Sequence, residues 1–291
     1  MTGLKLSHLD KIYWPEEKIT KGQLIEYYQK IAPIILPYIS GRPISLNRFP
    51  EGITGEHFYH KDSSTLHLPE FIETKMINGV KYIVCNNLET LLYIVNLGSV
   101  EINVWLSKIS KLEHPDWLLI DLDPEDIDFS YVVKSALKFK ELFDLLEIPS
   151  FVKTSGATGI HIVVPIGKNY TFEQSKQFAK ILANFVNSEI PEFTSIVRQP
   201  KNRQGKVYLD FLQNNHGQTL AAPYSIRPVE GAQVSAPLLW SEVAPSLSPK
   251  KFTIKNMDKR FHQVGDLWKP LINHKGIDLI KTLKKFKVIN F

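Results

Sequence analysis

An apolar strand interrupted by two acids constrains this chain more than any other segment. Residues 117–124 read WLLIDLDP, with Asp121 and Asp123 alternating with apolar residues. Because side chains two apart on a strand share a face, the two carboxylates are expected to lie side by side. Two like charges in apolar surroundings need a neutralising cation, or one of them must hold a proton. A divalent ion satisfies that need, whereas a strand end capped by backbone amides is the purely structural alternative.

A third acid repeats this design further along the chain. Asp210 lies in the segment 206–212, KVYLDFL, which also reads as an apolar strand. Three such acids are the usual protein contribution to a two-metal nucleotidyl-transfer site. We therefore predict that Asp121, Asp123 and Asp210 are catalytic and bind two ions, either Mn²⁺ or Mg²⁺.

Two neighbouring segments carry groups that can bind phosphate. Residues 153–161 read KTSGATGIH, a glycine-rich turn in which Ser155 and His161 can reach an anion. Residues 198–206 hold four cations and lead directly into the strand of the third acid, and Arg227 follows as a second candidate phosphate ligand. A glycine-rich turn is more often only a turn, and a charge run is usually a solvated face. Their position beside the acids favours phosphate binding.

Composition limits the class of protein. The chain has 291 residues, 43% of them hydrophobic and 22% charged, which suits one large domain or two intimate lobes. A formal net charge of +5 permits a polyanionic partner without requiring one. The single cysteine, Cys85, excludes an internal disulfide and is expected in the core. No apolar run reaches the ~20 residues that cross a bilayer, so we expect a cytoplasmic protein without a membrane partner.

Strands and helices alternate without a regular βαβ rhythm. This mixture favours an α/β or α+β fold with mixed sheets over a Rossmann fold. Thr20 is expected to cap a helix that Pro33 and Pro37 bend or end. Further helices are predicted at 88–96, 130–147 and 172–188, strands at 44–49, 56–60, 80–85, 117–123, 151–155, 160–166 and 206–212, and a basic, helical tail from about 249.

Six motifs in one order resemble the polymerase domain of bacterial and archaeal ligase D, a member of the archaeo-eukaryotic primase superfamily. The likeness runs from about Leu6 to Trp268. Its motifs are DKIYWPEEKITKGQLIEYY, GRPISLNRFPEGITGEHFYHK, WLLIDLDP, KTSGATGIHIVVP, GKVYLDFLQNNHGQTLAAPYSIRP and VSAPLLWSEV. The resemblance implies a primase-polymerase fold, in which mixed or antiparallel sheets form a central catalytic cleft flanked by helices. It also implies one domain over 1–291, with an N-terminal lobe over about 1–110 that contacts the DNA 5′-phosphate. The catalytic lobe, over about 111–291, would have an RRM-like core and a basic helical tail.

The resemblance further implies the activity. It is template-directed addition of nucleotides to a primer 3′-hydroxyl at gaps and breaks during non-homologous end joining, with a preference for ribonucleotides and Mn²⁺. Positions matching nucleotide-binding residues of the family are Ser155, Thr158, His161, Arg203, Arg227, Arg48, Asn103 and Gln213. Positions matching DNA-binding residues are Lys11 and Lys21, which would grip the 5′-phosphate, Phe58 and Tyr59, which would stack on a base, and Lys61.

Two residues depart from the family pattern. Asn47 stands where many relatives carry a lysine that contacts nucleotide phosphate, and Asn103 stands where histidine is frequent. Asparagine keeps a polar contact but supplies neither a charge nor a proton near neutral pH. No ligase or nuclease motif is visible, so we expect a separate DNA ligase and a Ku-type end-binding protein as partners. The other expected partners are NTP or dNTP and DNA with a 5′-phosphorylated gap or double-strand break, at the nucleoid.

Three alternatives stay open at this point. A primase would start strands de novo from nucleotides and a bare single-stranded template. A non-catalytic module would bind DNA breaks without turnover, although the three acids argue against it. A metal-dependent phosphohydrolase would release phosphate instead of extending a primer.

Overall fold

A computed structural model describes residues 4–167, 169–203 and 205–289. The strands are β1 (Ile12–Trp14), β2 (Ile19–Thr20), β3 (Pro43–Arg48), β4 (Phe58–His60), β5 (Glu73–Ile77), β6 (Val80–Val84), β7 (Ser99–Trp105), β8 (Trp117–Pro124), β9 (Phe151–Thr154), β10 (Ile160–Pro165), β11 (Thr194–Ser195), β12 (Val207–Asp210), β13 (Thr219–Ala221) and β14 (Pro237–Leu238). The helices are α1 (Lys21–Ile39), α2 (Leu88–Asn96), α3 (Phe129–Leu146), α4 (Phe172–Glu189), α5 (Met257–Val264), α6 (Lys269–Ile272) and α7 (Leu279–Ile289).

The chain forms two compact units. The first runs to Ser110 and also contains Thr219–Ala236 and Lys250–Asp266. The second contains Lys111–Gln218, Pro237–Pro249 and the described residues from Leu267 onward. A division into 1–110 and 111–291 therefore misses two later segments that return to the first unit. Such returns leave no mark in local composition, because they are made by long-range strand pairing.

The first unit is built on an antiparallel sheet in the order β13-β7-β3-β6-β5, with β4 also paired to β3. Strands β1 and β2 pair separately. Helix α1 packs against α2, and α2 packs against β7. At the start of α1 the side chain of Thr20 accepts from the Gln23 N–H, and the side-chain oxygen of Gln23 accepts from the Thr20 N–H, a capping box that fixes where the helix begins.

Two prolines inside α1 do not end it where the sequence suggested. Both Pro33 and Pro37 lie within the helix, which continues to Ile39. The prediction that they end the helix was wrong. A long buried face that includes Leu24 and Ile35 holds the helix together, because tertiary packing outweighs the loss of single backbone bonds.

The second unit is built on a sheet in the order β11-β12-β8-β10-β9-β14, in which only β11 and β12 pair in parallel. From β8 to β12 the chain runs strand, helix, two strands, helix, and then the two-residue β11 followed by β12, which is the split β-α-β-β-α-β arrangement with one short extra strand. Helices α3 and α4 both pack against β8. The expectation of mixed and antiparallel sheets in place of a Rossmann fold is confirmed.

Most predicted elements occur within a residue or two of their expected bounds. Seven strands were not predicted, namely β1, β2, β5, β7, β11, β13 and β14. Strand β7, SVEINVW, alternates polar and apolar residues from Ser99 to Val104, a strand pattern that the prediction overlooked, and all seven of its residues are buried. Strand β5, ETKMI, is mostly exposed and polar, so it reads as a loop.

The lone cysteine and the membrane prediction can also be compared with the structure. Cys85 is buried, and this burial raises the pKa of its thiol to about 12, which agrees with a core role. Within the described ranges, none of the helices combines the length and apolar character that a membrane span requires.

Candidate active site

Two of the three predicted acids face each other across neighbouring strands. Asp121 on β8 is the register partner of Asp210 on β12, and Asp123 follows two residues later on the same face of β8. Asp121 is 7% exposed and Asp210 is 8% exposed, whereas Asp123 is half-buried. Acids from segments almost ninety residues apart are thus brought together by backbone pairing.

The surroundings of Asp210 penalise its ionised form. Burial, followed by the charge of Asp121, raises the pKa of Asp210 above its usual range. Part of the charge is compensated, because Oδ1 accepts the Leu212 N–H at 2.7 Å and Oδ2 accepts from Nε2 of Gln213 at 3.3 Å. The predicted nucleotide-binding residue Gln213 therefore lies directly against one of the acids.

The donor set around these acids suits a hard divalent cation. Asp121, Asp123 and Asp210 offer only carboxylate oxygens, the ligands that Mg²⁺ and Mn²⁺ prefer, and a cation would relieve the repulsion that raises the pKa of Asp210. Over residues 4–289, leaving aside Lys168 and Gln204, no three His, Cys, Asp or Glu side chains already converge as a metal centre. The three acids therefore suit a divalent cation, because their ligands are carboxylate oxygens and because they lie on the same face of the sheet.

The same row of the sheet continues through a histidine and a lysine. His161 on β10 pairs with Asp121 on one side and with Lys153 of β9 on the other. Nε2 of His161 lies 3.2 Å from Oδ1 of Asp121, and Nδ1 lies 2.7 Å from Nζ of Lys153. His161 is 6% exposed and Lys153 is fully buried. Sequence alternation correctly predicted that His161 leaves the apolar face.

The glycine-rich turn lies beside the second acid of β8. Oγ of Ser155 accepts the backbone N–H groups of Ala157 and Gly159, at 3.1 and 2.9 Å, which closes the turn between β9 and β10. A β-carbon at Gly159 would lie 2.3 Å from the Leu122 carbonyl oxygen and 3.2 Å from Oδ1 of Asp123, so only glycine fits there. Thr158 is exposed at the tip of the turn.

Arg203 reaches the same region of the second unit. Its guanidinium lies 3.9 Å from the ring centroid of Tyr208, and Tyr208 is the register partner of Asp123. Nη1 of Arg203 lies 3.2 Å from Oε2 of Glu125. Burial and the nearby Asp210 raise the pKa of the Tyr208 hydroxyl. Arg203 thus places a fixed positive charge against Tyr208, the register partner of Asp123.

The predicted nucleotide contacts of the first unit surround a buried acid. Glu101 on β7 is 3% exposed, and Oε2 lies 2.7 Å from Nε of Arg227. Oε1 of Glu101 accepts from Nδ2 of Asn47, its cross-strand partner on β3, at 3.0 Å. Asn103 lies two residues further on the same face of β7 and is 8% exposed. A carboxylate held by Arg227 and an amide fixes the arginine in place.

The predicted DNA contacts near β4 include exposed aromatic side chains. Phe58 is 47% exposed and Tyr59 is 65% exposed, so both side chains are partly accessible from solvent. The guanidinium of Arg48, a predicted nucleotide ligand, lies 5.2 Å from the Phe58 ring and donates to the Leu97 carbonyl. Lys61 is exposed one residue after β4.

The two lysines predicted to hold the 5′-phosphate already have protein partners. Nζ of Lys21 donates to the Ser7 carbonyl at 2.8 Å and to Oδ1 of Asn96 at 2.9 Å, and Lys21 is 4% exposed. Nζ of Lys11 lies 2.8 Å from Oε1 of Glu51. Burial and, after it, the charge of Lys11 lower the pKa of Lys21. The mutual repulsion of two nearby ammonium groups favours an anion between them.

Sequence reasoning missed three residues of these two clusters. Lys153, Tyr208 and Glu101 each lie on a strand opposite a predicted residue. Lys153 and Glu101 carry a recognisable signal, since each is a charged residue within a strand of otherwise apolar character. Their partners could not be deduced, because they depend on the register.

Comparison with known proteins identifies the family. The family described as LigD, primase-polymerase domain, matches residues 20–268. The chain is 35% identical over 264 residues to the bifunctional non-homologous end joining protein LigD of Bacillus subtilis (strain 168), which covers 90% of this chain and 43% of that protein. It is 29% identical over 272 residues to the multifunctional non-homologous end joining protein LigD of Pseudomonas aeruginosa, which covers 91% of this chain and 32% of that protein.

A solved structure is also similar. The polymerase domain from Mycobacterium tuberculosis ligase D, in complex with DNA, matches with a TM-score of 0.87 at 25% identity, over 94% of this chain and 99% of that one. The chain therefore spans less than half the length of both curated relatives but nearly the whole of the solved polymerase domain. On the strength of this match and of the family's coverage of residues 20–268, the chain belongs to the LigD primase-polymerase domain family.

Proposed function

We propose that this protein is a repair polymerase that adds nucleotides to a primer 3′-hydroxyl at gaps and broken ends during non-homologous end joining. The observation that carries the proposal is the register pairing of Asp121 with both Asp210 and His161 in a member of the LigD primase-polymerase domain family. Buried acids next to phosphate-binding side chains are the arrangement that nucleotidyl transfer requires.

The acids are proposed to hold two divalent ions, Mn²⁺ or Mg²⁺. Asp121, Asp123 and Asp210 share one face of β8 and β12 and offer hard oxygen ligands. When bound, the ions supply activation of the attacking hydroxyl and stabilisation of the leaving pyrophosphate.

Other residues are proposed to bind and orient the nucleotide. In the second unit, the guanidinium of Arg203 and the donors of Ser155 and His161 counter triphosphate charge. Thr158 and Gln213 flank this region. In the first unit, Arg227, whose Nε lies 2.7 Å from Oε2 of Glu101, is proposed to contribute a fixed positive charge towards the phosphates. We propose that the protein prefers ribonucleotides.

The DNA is proposed to meet the first unit. Lys11 and Lys21 would take the 5′-phosphate of the downstream strand, and the exposed rings of Phe58 and Tyr59 would stack on a base. The similar solved polymerase domain is in complex with DNA, which supports this role. We further propose that a DNA ligase and a Ku-type end-binding protein act with this chain at the nucleoid.

The decisive assay is extension on a gapped duplex. The substrate carries a primer 3′-hydroxyl and a downstream 5′-phosphate, and four reactions compare NTPs with dNTPs, each with Mn²⁺ and with Mg²⁺. We expect templated extension that is faster with NTPs and with Mn²⁺. Absence of extension in all four reactions, with the protein folded and bound to DNA, would leave the break-binding module as the better description.

Two further arms separate the other activities. A bare single-stranded template with nucleotides but no primer yields products only from a primase. Release of inorganic phosphate in place of pyrophosphate identifies a phosphohydrolase. We expect the rate of de novo synthesis and the rate of phosphate release both to stay below the rate of gap filling.

A further inference from the structure

The acid row is the line of paired residues Asp210, Asp121, His161 and Lys153 across β12, β8, β10 and β9. The buried lysine at its end is assigned no part in the proposed function. Lys153 on β9 is fully buried, and its Nζ lies 2.7 Å from Nδ1 of His161. On the opposite side of that ring, Nε2 lies 3.2 Å from Oδ1 of Asp121. Lys153, His161 and Asp121 therefore form a continuous polar chain across three neighbouring strands.

The backbone register produces this chain. Asp121 is paired with His161, and His161 with Lys153, so the three side chains project from one face of the sheet as direct neighbours. A lysine is almost never fully buried unless a specific partner compensates for the lost hydration. The placement of Lys153 under the histidine is therefore a built feature of the fold.

The direction of the hydrogen bonds follows from the groups on the two sides of the ring. The amine of Lys153 can donate to Nδ1 of His161, and the carboxylate of Asp121, whose Oδ1 lies 3.2 Å from Nε2, favours an N–H on that nitrogen. This arrangement makes Nδ1 the acceptor and places the single proton of the neutral imidazole on Nε2, on the side of the acids.

We propose that Lys153 is a positioning residue that holds His161 in its Nε2–H tautomer. The functional consequence rests on the proposed polymerase function, in which His161 contacts the triphosphate. An N–H on the acid side of the ring attracts a phosphate oxygen, whereas a lone pair there repels it. Lys153 thereby fixes the donor character of a residue that touches the nucleotide, without touching the nucleotide itself.

The substitution Lys153→Met removes the ammonium group and keeps a similar length of apolar chain. Without a donor on Nδ1, both tautomers of His161 become populated, and we expect the KM for the nucleotide to rise about tenfold or more. The affinity for the gapped DNA should not change. Lys153→Gln keeps an N–H donor without the charge, so it should recover part of the loss.

A matched control comes from the same unit. Lys176 on α4 is partly buried, and its Nζ donates to Oδ1 of Asn215 at 3.1 Å. Lys176→Met removes a comparable lysine away from the acid row. We expect its nucleotide KM to stay within about twofold of the wild type.

The direct test is nitrogen NMR of the wild-type protein with ¹⁵N-labelled histidine rings. Spectra are taken at pH 8, above the ordinary histidine pKa of about 6.5. The signals of His161, one of nine histidines, are assigned by their loss in His161→Gln. We expect a protonated Nε2 and an unprotonated, hydrogen-bonded Nδ1. A proton on Nδ1, alone or together with one on Nε2, would overturn the assignment of Lys153.

The tautomer measurement needs no substrate, so it remains informative whatever the enzyme does. If the Lys153→Met protein is folded and retains the wild-type tautomer and nucleotide KM, the positioning role is wrong. If the wild type shows the Nε2–H tautomer and the Met variant a mixture, but no nucleotide is added to DNA, the polymerase proposal fails while the tautomer assignment stands. Should the Met variant not fold, the wild-type spectrum decides, because a proton on Nδ1 overturns the assignment.

Discussion

Asp121 and Asp210 are direct cross-strand partners on β8 and β12, and both are more than nine-tenths buried. Two carboxylates in this position repel each other, and the pKa of Asp210 is raised by burial and by Asp121. The protein therefore maintains an electrostatically unfavourable pair in its interior. Repulsion of this kind is characteristic of functional sites, because a single substitution would remove it from a site that had only a structural role.

The first prediction concerns Asp210→Asn. Because the pKa of Asp210 is raised in the fold, its proton stabilises the native state at low pH, and that contribution is lost as pH rises through the raised value. At pH 7 in a chelator, the neutral amide should therefore increase the free energy of unfolding by on the order of 1 kcal/mol. Urea denaturation of both proteins measures it. A variant less stable than the wild type would show that the acid pair is not a source of repulsion.

The second prediction concerns Gly159→Ala. A β-carbon would lie 2.3 Å from the Leu122 carbonyl oxygen, so β8 and β10 must separate beside Asp123. We expect a loss of more than about 2 kcal/mol in stability and a large loss of extension. Gly79→Ala is the control, since it has φ of +81° but no atom within 4 Å, and should cost only about 1 kcal/mol without affecting extension. Equal effects of the two variants would contradict the close packing at Gly159.

The third prediction concerns the end of the DNA. Lys21→Met should weaken binding to a gap with a 5′-phosphate and leave binding to a 5′-hydroxyl gap nearly unchanged. For the phosphorylated gap, the slope of the logarithm of the binding constant against the logarithm of the salt concentration should fall in magnitude by about one. Lys30→Met, on the same helix and paired with Glu26 at the surface, is the control. Equal losses on both kinds of gap would show that Lys21 serves only the fold, through Ser7 and Asn96.

The fourth prediction concerns the exposed aromatic pair. Phe58→Ala and Tyr59→Ala should each weaken DNA binding by about 1–3 kcal/mol, because each substitution removes a ring on which a base would stack. Their melting temperatures should change little, since both rings are largely exposed. Met76→Ala removes a side chain that is 59% exposed on β5 of the same unit and serves as the control. Fluorescence anisotropy with a gapped duplex measures all three, and an unchanged affinity in both aromatic variants would exclude stacking.

Sequence alone predicted the chemistry of the acids but not their full geometry. Alternation along WLLIDLDP is sufficient to place Asp121 and Asp123 on one face. The pairing of Asp121 with Asp210 depends on which strands are neighbours and on their register, neither of which is encoded locally. Family resemblance supplied the grouping of these acids, and the strand order supplies its physical cause.

Contacts between distant segments explain why the remaining geometry of the site could not be predicted from the sequence. Glu101 and Arg227 are 126 positions apart, and only the folded first unit shows that one holds the other. Lys21 reads as a surface cation at a helix start, yet it is 4% exposed because its ammonium closes onto Ser7 and Asn96. In both cases the partners of the predicted residue come from chain segments that no periodicity connects.

The central claim is that the acid row performs metal-dependent nucleotidyl transfer, and single-turnover primer extension by Asp121→Asn tests it most directly. The control is Asp144→Asn, which removes an exposed acid of α3 that pairs with Lys140. On a gapped duplex with Mn²⁺ and NTPs, we expect Asp121→Asn to lose at least about 1,000-fold in rate while binding DNA normally, and Asp144→Asn to match the wild type. Extension by a folded Asp121→Asn protein at a rate close to the wild type would contradict the account.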